Sequence, residues 1–193
     1  MDVLAAIKAR RAYRSLEPVA ITVGLISDLA GAAALAPSCF NKQPWRYIFM
    51  DDPAGLEKMH QALSRGNEWA RRASLIVAVA GRREDDCIMK DGRGYFLFDI
   101  GLSCAGLILR ATELGLVAHP IAGFDPVPVK EALEIPSEMA VVALIVVARH
   151  SPIPDSGLSP DQARAEAERP PRRPLQEFAF SNRYGREISR MPS

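Results

Sequence analysis

The sequence predicts an α+β fold in which a mixed central sheet is flanked by helices. Two runs, residues 75–80 and 141–147, are continuously apolar, which is typical of strands buried on both faces. Helical patterns separate the strand patterns irregularly rather than in a regular βαβ alternation. The chain has 193 residues, of which 48% are hydrophobic and 24% charged, and this suits one domain with a substantial core.

The chain opens with two helical patterns and a strand. Asp2 can cap the first helix, and Thr22 can cap the second, which Pro37 stops. Residues 38–44 are polar and contain proline, so they are predicted to form a loop. Residues 45–50 alternate and are rich in aromatic and β-branched side chains, which predicts a strand.

Two further helices are predicted in the middle of the chain. The first is predicted over residues 52–67, where Asp-Pro opens the helix and Arg-Gly-Asn closes it. The charged stretch 82–94 is predicted to be a loop. Residues 95–114 form a long helix, in which Gly101 and Gly106 each cost about 1 kcal/mol relative to alanine. That cost predicts the close approach of another backbone, such as a partner helix.

The last strands lead into a region of different composition. Residues 117–121 contain a proline and suit an edge strand or an irregular turn, and a short helix over 126–133 follows. Residues 1–150 are expected to form the core of the domain. Residues 151–193 are rich in proline and are expected to be an arm of the same domain, with one helix and a strand at 177–180.

The charge distribution is balanced overall but uneven along the chain. Lys plus Arg number 24 against 23 Asp plus Glu, which argues against binding to nucleic acids or anionic membranes. Basic residues nevertheless cluster near both ends: Lys8, Arg10, Arg11 and Arg14, and then Arg169, Arg172 and Arg173. The two clusters could converge on one anion, although composition alone favours two solvated charge runs.

The cysteines and the apolar runs predict a cytoplasmic protein. Cys39, Cys87 and Cys104 form no CxxC pair, and their odd number fits a reducing compartment better than a disulfide framework. The first residues show no signal-peptide pattern, and the longest strongly apolar run, residues 139–148, is too short to cross a bilayer.

Motifs for catalysis by protein side chains are absent from the sequence. It contains no G-x-G-x-x-G after a strand, no G-x-S-x-G and no H-E-x-x-H. His60, His119 and His150 lack the spacing of metal ligands, so no metal site is expected. We therefore expect no catalytic side chain, and any chemistry to come from a bound cofactor.

Three polar segments suggest a ligand site. Arginines at positions 10 and 14 share a helix face, and guanidinium groups bind phosphate bidentately. Residues 36–46 (APSCFNKQPWR) offer amides that match the edge of a heterocycle, and residues 119–125 (HPIAGFD) can expose backbone N–H groups. Each segment alone is also explained without a ligand, as a solvated helix face or as an ordinary turn.

Taken in this order, the segments resemble the nitroreductase family of FMN enzymes. The most specific match is Pro37-Ser38 followed by Asn41-Lys42-Gln43-Pro44-Trp45. Supporting matches are Asn67-Glu68-Trp69, Asp99, Gly115-Leu116 and Arg172-Arg173-Pro174-Leu175. The resemblance extends from residue 2 to about residue 187. It implies an intertwined homodimer with FMN in the interface and an arm that adds a strand to the partner's sheet.

The resemblance also implies which positions bind the cofactor. They are Arg10, Arg11, Ala12, Arg14, Pro37, Ser38, Cys39, Asn41, Gln43, Asn67, Pro120, Ala122, Gly123, Arg172 and Arg173. The arginines would hold the phosphate or the pyrimidine oxygen, and the residues at 37–39 would come from the second subunit. The two asparagines would bind the flavin or its ribityl chain, and the backbone at 122–123 would face N5. Ala12 stands where the family usually has serine.

The implied activity is an NAD(P)H-dependent oxidoreductase. It would transfer two electrons through FMN to a nitroaromatic, a quinone or a similar small acceptor by ping-pong turnover. The same scaffold supports dehalogenation, dehydrogenation and flavin breakdown, and a non-catalytic flavin-binding role is a further alternative.

Overall fold

The structure is a computed structural model that describes residues 1–188. Its helices and strands are, in order, α1 (Val3–Ala9), β1 (Leu16–Glu17), α2 (Val23–Ala34), β2 (Trp45–Met50), α3 (Pro53–Gln61), β3 (Leu75–Gly81), α4 (Phe96–Glu113), β4 (Val117–Ile121), α5 (Pro126–Ala132), β5 (Ala140–His150) and α6 (Pro160–Ala167). Short 3₁₀ turns lie at Cys39–Asn41, Glu68–Arg72, Arg83–Asp85 and Leu175–Glu177. The predicted α+β class, with helices flanking a central sheet, is confirmed.

Side chains cap α1 and α2 at the residues predicted for their N-termini. The carboxylate of Asp2 accepts a 2.7 Å hydrogen bond from the N–H of Ala5, and the hydroxyl of Thr22 accepts one of 3.1 Å from that of Leu25. Such caps satisfy backbone N–H groups that have no partner inside the helix. The caps therefore set where α1 and α2 begin.

The sheet is built around β5, the longest strand. β5 pairs with β3 on one side and with β4 on the other, β2 pairs with β3, and β1 pairs with the end of β5. Every pairing among the described strands is antiparallel. β4 pairs with β5 alone, which confirms the edge position predicted from its proline.

Alternating residues of β3 and β5 supply two separate cores. Ile76 and Val146 pack with α3, α5 and the 68–72 turn, whereas Val77 and Ile145 pack against α2 and α4. Side chains of a strand alternate between the two faces of a sheet, so both faces here are covered. The prediction of strands buried on both faces is confirmed.

Helices α2 and α4 are held together at short range. A Cβ at Gly106 would lie 2.7 Å from the carbonyl oxygen of Ala32, so this glycine allows α4 to approach α2. The hydroxyl of Ser103 donates a 2.9 Å hydrogen bond to the carbonyl of Ala33. The predicted close approach of another backbone is therefore confirmed at Gly106, and that backbone belongs to α2 of the same chain. Gly101 faces open space.

The arm lies over the body, and its described part, residues 151–188, forms no strand. α6 is the predicted arm helix, and its residue Glu166 contacts the segment before β1. The strand predicted at 177–180 is wrong. The chain forms a 3₁₀ turn at Leu175–Glu177, and Leu175 and Phe178 are exposed. The last five residues of the predicted arm lie outside the described residues. No helix in residues 1–188 has both the length and the apolarity to cross a membrane.

Candidate functional site

Arginines from both ends of the chain line one cavity. This arginine cavity has a volume of about 170 Å³ and is lined by Arg10, Arg11, Ala12, Arg14, Ala165, Arg169, Pro170 and Arg172. Burial lowers the pKa of Arg10 from its ordinary value, and the nearby charges of Arg169, Arg172 and Arg11 lower it further. The two basic clusters therefore converge, as one of the two interpretations of the sequence proposed.

Two of these arginines fasten the arm to the beginning of the chain. Arg169 donates to the carbonyl oxygens of Lys8 and Arg10 at 2.6 and 2.8 Å, which lie at the end of α1. Arg11 donates to the carbonyl oxygens of Ala165 and Glu166 at 3.0 and 2.9 Å, at the end of α6. Each guanidinium thus binds carbonyl groups that have no partner within their own helix.

The carboxylate of Glu166 completes this attachment. It accepts hydrogen bonds from the backbone N–H of Ser15 at 2.9 Å and of Arg14 at 3.2 Å. Burial lowers the pKa of the Arg14 side chain, and the nearby charge of Glu166 partly opposes that shift. In the described part of the chain, Arg10, Arg14 and Arg172 form no ion pair, so their charges are available to an anion in the cavity. Arg173 does not line the cavity.

A stack of aromatic rings lies next to the cavity. The Arg14 guanidinium lies 5.8 Å from the centre of the Trp69 ring, and Trp69 stacks on His119 with 4.6 Å between ring centres. Nε of Arg14 and Nε1 of Trp69 are buried and have no hydrogen-bond partner in residues 1–188. These unpartnered donors are expected where a ligand supplies the acceptor.

His119 is neutral in this environment. Burial lowers its pKa to about 4, although the backbone carbonyl of Tyr13, 3.1 Å from Nδ1, opposes that shift. A carbonyl oxygen only accepts hydrogen bonds, so His119 carries its proton on Nδ1. The imidazole thereby joins the middle of β4 to the segment that contains Arg14.

The predicted glycine loop after β4 is anchored by Asn67. The side-chain amide of Asn67 donates a 2.9 Å hydrogen bond to the carbonyl of Gly123, and the N–H of Ser64 donates to the same oxygen at 3.0 Å. A Cβ at Gly123 would collide with the Asn67 amide. Neither Ala122 nor Gly123 donates a backbone hydrogen bond within the described residues, and Pro120 is exposed. The structure therefore brings together this loop, Asn67, Trp69 and the arginine cavity.

The loop at residues 37–43, which we call the amide loop, is tightly folded on itself. The hydroxyl of Ser38 accepts from the N–H of Gln43 at 3.0 Å, and the Gln43 amide donates to Oδ1 of Asn41 at 3.0 Å. Phe40, Asn41 and Gln43 adopt left-handed backbone conformations with φ of 48°, 56° and 49°. In residues 1–188, no hydrogen bond joins this loop to the arginine cavity. One chain alone does not bring these two predicted parts together.

The expectation that the cysteines are free is wrong for two of them. Cys39 of the amide loop and Cys87 of the 82–94 loop form a disulfide, whereas Cys104 is free. The two bonded residues are 48 positions apart, so their spacing in the sequence carries no signal of the pairing. The N–H of Cys39 also donates a 2.7 Å hydrogen bond to Asp99 at the start of α4.

Several residues of the site were not predicted. Glu166 and Arg169 position the cavity wall, and His119 joins two of its segments, but none of them was in the predicted binding set. Arg169 belonged to a basic cluster that could have suggested its place. Glu166 lies in an ordinary Ala/Glu/Arg helix, where nothing distinguishes it from an exposed glutamate.

Comparisons with known proteins identify the family. The profile of the Nitroreductase family matches residues 7–80 and 63–149. An NADH dehydrogenase of Thermus thermophilus is 26% identical over 183 residues, covering 76% of this chain and 86% of the relative. A 5,6-dimethylbenzimidazole synthase of Rhodospirillum rubrum is 27% identical over 173 residues, covering 76% and 82%.

A solved structure agrees over nearly the whole chain. The crystal structure of an oxidoreductase containing FMN superposes with a TM-score of 0.82 and 27% sequence identity, covering 97% of this chain and 95% of that one. The profile match spans most of the chain and includes residues 10–14 of the cavity wall, the aromatic stack and the amide loop, whereas residues 165–172 of the wall lie beyond it. The chain therefore belongs to the nitroreductase family.

Proposed function

We propose that this protein is an FMN-dependent oxidoreductase that takes two electrons from NAD(P)H and passes them to a small oxidised acceptor, such as a nitroaromatic or a quinone, by ping-pong turnover. When bound, FMN supplies the electron-pair chemistry, and the protein supplies binding and orientation. The names of the relatives and the FMN in the superposed structure support the cofactor and the reaction class.

The single observation that carries the proposal is the convergence of arginines from both ends of the chain. Arg10, Arg14 and Arg172 face one cavity without ion pairs in the described residues, and this suits the dianionic phosphate of FMN. An anion there would also relieve the mutual repulsion of these guanidinium groups. The residues present therefore fit the cofactor.

The residues beside the cavity have separate tasks. Trp69 and His119 form a rigid wall, and the neutral imidazole holds the Tyr13 carbonyl without adding a charge. The free N–H groups of Ala122 and Gly123 can donate to an acceptor atom on a ring edge. Asn67 keeps these groups in place through the Gly123 carbonyl. No side chain is required to give or take a proton in this account.

The amide loop enters the proposal through a second subunit. We infer that the active protein is a homodimer, in which Pro37, Ser38 and Cys39 of one subunit reach the cavity of the other. The large side chains of Leu97, Phe98 and Leu102 on α4 are exposed and offer an apolar face for that contact. The cytoplasmic location and the exchange of the arm between subunits remain predictions.

A second candidate keeps FMN and changes the reaction. The relative named 5,6-dimethylbenzimidazole synthase favours it, since family membership alone leaves the acceptor open. A protein that binds FMN and is reduced by neither NADH nor NADPH would support this candidate or a non-catalytic flavin-binding role. Reduction by either nucleotide followed by reoxidation with a quinone would support the first.

The test is an absorbance spectrum followed by a matched pair of variants. We expect purified protein to show the bands of bound flavin and to lose them when NADH or NADPH is added. Arg172→Ala should weaken FMN binding about ten- to hundredfold, because a hydrogen bond to a charged group contributes roughly 1.5–3 kcal/mol. Arg173→Ala, one residue outside the cavity, should change it less than twofold. Protein that binds no FMN at all would overturn the proposal.

A further inference from the structure

The Cys39–Cys87 disulfide joins the amide loop to a second loop. Cys39 lies directly after Ser38, and Cys87 lies in the 82–94 loop between β3 and α4. In the described residues, the other direct connection of the Cys39 backbone to the body is its hydrogen bond to Asp99. The disulfide is therefore a main attachment of the amide loop.

The amide loop has a conformation that needs such an attachment. Phe40, Asn41 and Gln43 lie in the left-handed region, which is unfavourable for residues with a side chain. The ring of Phe40 is 89% exposed and adds almost no packing. A strained conformation persists only where surrounding contacts impose it. Breaking the disulfide would remove one of the few contacts that do so.

A buried carboxyl group lies beside the two sulfur atoms. One carboxylate oxygen of Asp86 and both sulfurs lie within 4.8 Å of one another. Asp86 is 5% exposed, and neither of its oxygens has a well-formed hydrogen bond in residues 1–188, although the N–H of Cys87 is near enough to lower its pKa. A buried polar group without a partner is costly, and such groups are commonly kept for a chemical role.

The neighbours of Asp86 favour its protonated form. Burial has the largest effect and raises the pKa of Asp86, the backbone N–H of Cys87 and the charge of Lys42 lower it, and Asp99 raises it further. Asp86 can therefore hold a proton next to the disulfide. A proton donor nearby stabilises a thiolate that leaves a disulfide. The other buried carboxyl group here, Asp99, already accepts the N–H of Cys39.

We propose that Cys39–Cys87 is a reversible redox site, reduced by dithiols, in which Asp86 carries the proton and whose state sets the position of the amide loop. One thiolate of the dithiol attacks a sulfur, the S–S bond breaks, and the leaving Cys thiolate takes the proton of Asp86. The second thiol of the dithiol gives its proton to the Asp86 carboxylate and attacks the dithiol's own sulfur in the mixed disulfide. The S–S bond of the mixed disulfide breaks, and the second Cys thiolate leaves and takes from solvent the proton that the first thiol had released there. The dithiol ends as a disulfide, two electrons and two protons end on Cys39 and Cys87, and Asp86 is protonated again.

The consequence for cofactor binding rests on the proposed function. Because the amide loop is inferred to contact the flavin of the partner subunit, its release should weaken FMN binding. The redox chemistry itself needs no flavin and is measured separately. Failure of one proposal therefore leaves the other testable.

The test counts thiols in full-length native protein purified without reductant. Mass spectrometry after alkylation should find Cys39 and Cys87 blocked, dithiothreitol should expose both, and oxidised dithiothreitol should block them again. If both cysteines are alkylated at the start, if the bond in native protein resists dithiothreitol, or if the pair holds a stoichiometric metal ion, the redox site is disproved.

A matched pair of variants tests the role of Asp86. Asp86→Asn should slow reduction by dithiothreitol at least tenfold at neutral pH. Asp91→Asn, which changes an exposed carboxylate in the same loop, should leave the rate within twofold. Equal rates in both variants would remove Asp86 from the mechanism. In parallel, reduction of the wild type should raise the FMN dissociation constant at least fivefold, whereas an unchanged constant would rule out control of the amide loop.

Discussion

The side chain of Arg169 donates a 2.8 Å hydrogen bond to the backbone carbonyl of Arg10. One guanidinium thus binds the end of α1 and lines the cavity that α1 leads into. The shape of the cavity therefore depends on the contact between the arm and α1.

Arg169→Ala should destabilise the fold and weaken FMN binding together. The variant loses two charge-assisted hydrogen bonds, and we expect the free energy of unfolding to fall by about 1–2 kcal/mol. Urea denaturation measures this change. The control is Arg164→Ala in α6, five residues earlier, whose exposed pair with Asp161 should contribute less than about 0.5 kcal/mol. Equal losses in both variants would contradict the assignment.

Gly106→Ala and Gly31→Ala should change stability in opposite directions. A Cβ at position 106 meets the Ala32 carbonyl, and such overpacking costs about 1–3 kcal/mol. A Cβ at position 31 meets nothing within 4 Å, so alanine there should stabilise α2 by about 0.5–1 kcal/mol. Thermal unfolding of both variants distinguishes these outcomes. A stabilising Gly106→Ala would mean that α2 and α4 are further apart.

His119 should make the fold less stable in acid. Its pKa is about 4 in the folded protein, below the ordinary value near 6.5, so the unfolded chain binds the proton first as the pH falls. The free energy of unfolding should therefore fall from about pH 6.5 to pH 4, by roughly 3 kcal/mol from this group. His119→Asn should be less sensitive to pH over that range. Parallel pH profiles of the two proteins would contradict the burial of His119.

Phe98→Asp should separate the proposed homodimer. The Phe98 side chain is 57% exposed on the apolar face of α4, and a buried unpaired charge there would oppose association. Val127→Asp, at a residue that is 60% exposed on α5, should leave the dimer intact. Light scattering gives the mass of each variant. A dimeric Phe98→Asp protein would place the subunit contact elsewhere.

The sequence predicted the regular elements well because their signals are local. The alternation at residues 45–50 predicted β2. The proline in residues 117–121 predicted that β4 lies at an edge of the sheet. The two apolar runs lie at the centre of the sheet, since only there are both faces of a strand covered. Composition alone did not decide whether Arg10 and Arg172 converge. Support for their convergence came from the resemblance to the nitroreductase family.

The parts that were not predicted depend on contacts between distant segments. β1 has only two residues, which pair with the end of β5, and a strand of this length is too short to produce a sequence pattern. The pairing of Cys39 with Cys87 and the burial of Asp86 arise where two loops meet after folding. The apolar residues near position 178 suggested a strand, but in residues 1–188 of one chain no strand pairs with them.

The attachment of the arm by Glu166 has a consequence for synthesis. The wall of the arginine cavity combines residues 10–14, which precede the sheet, with residues 165–172, which follow it. A nascent chain on the ribosome can complete the sheet once β5 has emerged, but it has no anion site until α6 follows. On the proposed function, cofactor loading therefore follows sheet formation, and we expect a product that stops before Glu166 to bind FMN poorly.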